Sequence, residues 1–169
     1  MLVMSHFDRV SEMNVAFNNP KGDPHNIDWR RVQRQVSNIA GAEYNEPPRD
    51  EYDELMIAVD RQDVVGVRDA LCDIMVFALG AFHMMGYDAD EDMHEVVDSV
   101  MSRLCRDEEQ LAATLTKYTD MGLVVHAEGE FPRVCVKSSC EQVDRNGERY
   151  AQGKFLKAVG YRQPKLDPL

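Results

Sequence analysis

The sequence predicts a mainly α protein: a helical bundle over residues 1–122, with a small C-terminal β-hairpin or short sheet over 123–169. Two observations carry this. Up to residue 121, apolar residues recur at helical spacing in six stretches, most of them bounded by capping or breaking residues. Beyond Gly122 the character changes to β-branched residues and short alternation in LVVHAEGEFPRVCVKSS, followed by a DRNG turn and KFLKAVGY. Residues 123–161 read as two or three short strands, too few to form a domain alone. The extension is therefore expected to pack on the helices or on a partner subunit.

The first helix covers 6–17, with Phe7, Val10, Met13 and Phe17 on its apolar face. NNPKGDPHN (18–26) is a loop by its Asn, Pro and Gly content. Asp28 caps a second helix, DWRRVQRQVSNIAGAEY, whose stripe is Trp29, Val32, Val36 and Ile39. Pro47-Pro48 breaks the pattern, and a third helix starts near Arg49 with Tyr52, Leu55, Met56 and Val59 inward. Asp63 caps a fourth helix from about 64 to 85, with Val67, Leu71, Ile74, Ala78, Phe82 and Met85 on one face and Gly86 as its stop. The fifth, over 91–105, turns Met93, Val96, Val97, Val100, Met101 and Leu104 inward. The sixth, over 107–121, carries Leu111, Leu115 and Tyr118 and ends at Gly122.

The net charge of −11 argues against bare nucleic acid as a partner. A nucleotide remains compatible, because divalent ions held by carboxylates offset phosphate charge. Cys72, Cys105, Cys135 and Cys140 form no CxxC pair and read as buried free thiols in a reducing compartment. No signal-peptide pattern opens the chain, and its longest apolar run, 74–87, is too short to span a membrane. A cytoplasmic protein is expected.

The chemistry concentrates in Glu51, Glu54, Asp69 and Asp73. Glu51 and Glu54 share one face of the third helix, and Asp69 and Asp73 one face of the fourth. From Ile74 to Tyr87 there is no Asp, Glu, Lys or Arg, so this helix is expected to be buried nearly all round. Asp73 at its head then needs a cation or strong donors. Two packed helices that each present a carboxylate pair build an Mg²⁺ site, in which a spare carboxylate acts as general base for water. Acidic pairs at these spacings also occur on plain solvated helix faces. Gln35 and Asn38 beside the second stripe are able to read a nucleobase edge, or are ordinary helix-surface amides. Lys154, Lys157, Arg162 and Lys165 form a basic cluster that closes over phosphates, or a solvated strand edge. His83 reads as a satisfied core histidine.

These residues resemble the MazG-like all-α nucleoside triphosphate pyrophosphohydrolases, and among them those encoded by bacteriophages. EYDEL, VDRQD and DALCDIMVFALG match the family's acidic helix, turn and second helix. DSVMSR and GKFLKAVGY resemble its later segments, and the likeness covers about 28–165. The resemblance implies Mg²⁺-dependent hydrolysis of a nucleoside triphosphate to monophosphate and pyrophosphate, with Mn²⁺ as a substitute ion. It implies a homodimer or homotetramer, in the host cytoplasm if phage-encoded. It places Glu51, Glu54 and Asp73 as catalytic metal ligands, with Asp69 assisting. Arg103 matches a family Lys and becomes a candidate phosphate contact beside Lys154 and Lys157, while Trp29, Gln35 and Asn38 become candidate base contacts. Two departures stand out: Ala70 where relatives carry Glu, and Val100, a core residue by its stripe, where phage relatives often carry Asn. They leave open a non-catalytic member that binds a nucleotide or a partner protein. Glu43 and Glu46 echo the acidic pair eight residues early.

Overall fold

The computed structural model describes residues 4–41 and 50–166. The echo at Glu43 and Glu46, the Pro47-Pro48 break and the last residues expected of the second helix lie outside them. The described chain is mainly α with a small β-rich C-terminal region. It contains α1 (His6–Ala16), α2 (Trp29–Ile39), α3 (Glu51–Asp60), α4 (Val64–Met85), α5 (Ala89–Met101) and α6 (Glu108–Asp120). Five short strands follow: β1 (Val125–Glu128), β2 (Cys135–Ser138), β3 (Gln142–Val143), β4 (Arg149–Tyr150) and β5 (Phe155–Leu156). Two compact units divide within α5, between Asp92 and Met93.

In the first unit α4 is the hub, and α1, α2 and α3 each pack on it. The local signals set its ends. Asp63 accepts from the Val65 and Gly66 N–H groups, and Gly86 closes the helix in the left-handed conformation at φ 89°. The 18–26 loop folds back onto that end through Gly22, whose N–H donates to the His83 carbonyl at 2.8 Å. A β-carbon at Gly22 would collide with the Met84 carbonyl, so only glycine fits the approach. His83 is fully buried and satisfied on both ring nitrogens, by Ser11 Oγ at 2.7 Å and the Asn19 carbonyl at 2.8 Å.

The inward faces differ from the expected stripes. On α4 the buried residues are Ala70, Gly80, Ala81, His83 and Met84, while Leu71 is 46% exposed. A helix apolar all round has no sequence-encoded face, and its smallest residues take the closest helix contacts. On α1 Phe7 and Val10 are buried but Asn14 replaces Met13 and Phe17, which are exposed. On α2 only Val32 is buried. On α3 Tyr52 and Val59 are exposed and Ala58 is buried. The α5 stripe of Met93, Val96, Val97, Val100 and Met101 is exposed, so Val100 is not a core residue in this chain. The helix also stops at Met101, and Arg103 lies in the turn beyond it.

In the second unit α6 packs on β1 and β2. Its core joins Cys105, Tyr118, Leu123, Val134, Val136, Tyr150, Leu156 and Ala158. The sheet order is β1-β2-β5, antiparallel throughout, with Val125 opposite Ser138 and Val136 opposite Leu156. The DRNG turn closes a separate β3–β4 hairpin, in which Asp144 accepts from the Asn146 and Glu148 N–H groups. Five strands thus form where two or three were expected, because the chain breaks at each of its turns into strands as short as two residues. The four cysteines are free, but only Cys105 is buried; Cys72 and Cys140 are exposed. Among the described residues no helix is long and apolar enough to cross a membrane.

Candidate active site

The three-residue turn between α3 and α4 makes a helical hairpin, and its arithmetic places the acids. Glu51 lies nine residues before the last residue of α3, and Asp73 nine after the first of α4. Antiparallel neighbours joined this way face each other at equal distance from the turn. Glu54, six residues before the end of α3, faces the level of Ala70 and Asp69.

Glu51 feels the charge of every other acid in the group. Its Oε2 atom is all but inaccessible to solvent and, among the described residues, has no hydrogen-bond partner. Its carboxyl is pushed above the ordinary carboxylate range, by burial first and then by the charges of Glu54, Asp73, Asp50 and Asp69, in that order. The fold therefore brings Glu54, Asp73 and Asp69 within electrostatic reach of Glu51. Asp69, exposed on the flank of α4, acts on Glu51 least. Ala70 is buried at 3% exposure, where a longer acid would have to displace the helix contact.

Two acids escaped the sequence reading. Asp50 caps α3 by accepting from the Asp53 N–H at 2.9 Å, and it also accepts from the Gly41 N–H. Asp53 is 1% exposed. Their Asp-x-x-Asp spacing at a helix start was the available signal. Among the described residues no three His, Cys, Asp or Glu side chains stand close enough to grip an ion as they are placed. The donor set nonetheless fits a hard divalent ion: it is all oxygen, it carries an orphaned buried carboxylate oxygen, and Mg²⁺ ordinarily keeps waters in its shell.

The candidate base contacts are dispersed. Trp29 is 65% exposed at the start of α2. Gln35 lies over α4, where a β-carbon at Gly80 would stand 2.9 Å from its Oε1. Asn38 donates to the Arg34 carbonyl at 2.8 Å, so this amide N–H is spent on its own helix.

The candidate phosphate contacts are gathered. Arg103, Lys154 and Lys157 line one cavity of about 430 Å³ in the second unit, together with Lys117, which no sequence pattern singled out. Arg162 is instead paired with Glu95 and Asp98 on α5, at 2.9 and 3.1 Å. Tyr150, in the wall of the cavity, has its hydroxyl pKa pushed up to about 12, chiefly by burial. Tyr161 is held below its ordinary value, by a hydrogen bond with Ser99 and by the charges of Lys157 and Arg103.

The family model for phosphoribosyl-ATP pyrophosphohydrolase matches residues 40–100. That stretch contains all four acids and the whole of α3 and α4. Comparison with curated proteins and with solved structures returns no match.

Proposed function

We propose that this protein is an Mg²⁺-dependent nucleotide pyrophosphohydrolase, converting a nucleoside triphosphate to the monophosphate and pyrophosphate. One observation carries the proposal: the orphaned, buried Glu51 oxygen amid the charges of Glu54, Asp73, Asp50 and Asp69, on the hairpin that the pyrophosphohydrolase model matches. Glu51, Glu54 and Asp73 would hold the ion, with Asp69 assisting. When bound, Mg²⁺ or Mn²⁺ supplies phosphoryl polarisation, charge neutralisation and a more acidic water. Glu51 or Glu54 orients the attacking water and takes its proton. The water oxygen bonds to the α-phosphorus, the bond to the bridging oxygen breaks, and pyrophosphate leaves.

Pyrophosphate release measured across a nucleotide panel that includes phosphoribosyl-ATP, with Mg²⁺ and with Mn²⁺, tests this reading. Turnover of at least one nucleotide is expected. A protein that binds a nucleotide and turns none over is the non-catalytic alternative, which the close packing of Ala70 at an acid's place favours. The exposed apolar stripe of α5 supports a homodimer or homotetramer. Val97→Glu is then expected to lower the mass measured by light scattering, and an unmodified protein already monomeric at micromolar concentration would refute assembly.

A further inference from the structure

We infer that the cavity of the second unit is a binding site for a small polyphosphate anion, working without a metal ion. The inference does not rest on the hydrolase reading, because none of the four acids takes part in it.

The chain carries 30 acidic against 19 basic residues, yet this cavity is lined by four cations and one carboxylate. Glu148 is the one acid that lines it, and among the described residues its one ion pair is with Lys154, at 3.5 Å. Among the described residues Lys117 and Lys157 form no ion pair. They lie over aromatic rings instead: Lys117 over Tyr118 at 4.9 Å and Lys157 over Tyr161 at 4.3 Å. Lys154 does the same over Tyr150, at 4.3 Å. Stacking on a ring positions an ammonium without neutralising it. The Arg103 Nε is buried and, among the described residues, has no hydrogen-bond partner.

The backbones beneath these cations are pinned. The Arg103 carbonyl accepts from the Ala158 N–H at 3.2 Å, and the Lys154 carbonyl from the N–H of fully buried Ser138 at 3.1 Å. The Tyr118 hydroxyl donates to the Lys157 carbonyl at 2.9 Å. Like charges fixed at one place repel until an anion joins them, and fixing them in advance lowers the ordering cost of binding. A volume of about 430 Å³ suits a small molecule, and four cations suit two or more linked phosphates.

Calorimetric titration of the full chain with inorganic pyrophosphate in excess EDTA tests the assignment. Binding with Kd below about 1 mM, weakening as salt is raised, is expected. The triple variant K117A/K154A/K157A should weaken it at least about tenfold with an unchanged circular dichroism spectrum, whereas E51Q/D73N should stay within about twofold. No binding of pyrophosphate by the unmodified protein in EDTA overturns the inference, as does binding lost in E51Q/D73N but kept in the lysine variant. A single-stranded oligothymidylate that outcompetes pyrophosphate through the same lysines overturns the small-anion assignment. A chain that binds pyrophosphate in EDTA but hydrolyses no nucleotide sinks the hydrolase proposal alone.

Discussion

The α3–α4 hairpin and the cavity beneath β5 both gather like charges, and they do so by different means. On the hairpin the gathering is regular: helix spacing and equal distance from one turn bring Glu51, Glu54, Asp69 and Asp73 together. In the cavity it is irregular, because Arg103, Lys117, Lys154 and Lys157 come from a turn, a helix and the flanks of a strand two residues long. Burial differs too. The hairpin buries one Glu51 oxygen with no partner among the described residues, whereas most of the cavity's cations lie exposed over aromatic rings. A desolvated carboxylate among like charges is a strong demand for a cation. Exposed, ring-supported ammonium groups make a weaker demand for an anion.

The largest expected effect tests the inequality among the acids. Asp73→Asn and Glu54→Gln should each lower pyrophosphate release by about 10²-fold or more, with circular dichroism unchanged. Asp69→Asn should cost about tenfold or less, since Asp69 perturbs Glu51 least of the surrounding acids. Equal losses at all three positions would erase that ranking.

The next effect contrasts the packing of the two units. Leu156, 2% exposed in the second core, should cost about 2–5 kcal/mol on truncation to Ala in urea unfolding. Leu71, 46% exposed on α4, should cost under about 1 kcal/mol. A large loss at Leu71 at high protein concentration, vanishing on dilution, would show that a second copy covers it.

The smallest effect is a shift in melting temperature. Burial and like charge raise the Glu51 pKa, so the folded protein binds this proton more tightly than the unfolded chain does. Without metal, the contribution of Glu51 to stability therefore falls as pH rises from the ordinary carboxylate range through the raised value. Glu51→Gln should flatten that decline and raise the metal-free melting temperature at pH 7–8. Mg²⁺ should raise the melting temperature of the unmodified protein by a few degrees and that of the variant by less. The same Mg²⁺ response in both proteins would remove Glu51 from the ion's ligands.

Much of the element plan was readable in advance because its signals are local. Asp28 and Asp63 cap α2 and α4 as their positions suggest, Gly86 and Gly122 stand in left-handed conformations at helix ends, and DRNG turns a hairpin. The acidic hairpin was readable for the same reason. Faces were not. An apolar stripe shows which residues favour burial, but not whether anything in the same chain arrives to cover them. The exposed stripes of α2 and α5 and the buried Asn14, Ser99 and Thr114 follow from that gap.

The sequence by itself determined where helices begin and end, and that two carboxylate pairs share one hairpin, because capping, spacing and turn chemistry act over a few residues. Only the tertiary structure decided that one Glu51 oxygen is buried, that Ala70 packs at 3% exposure, and that Lys117 joins Arg103, Lys154 and Lys157. Desolvation and charge clustering depend on distances between segments far apart in the chain, and those distances exist only once the cores have packed.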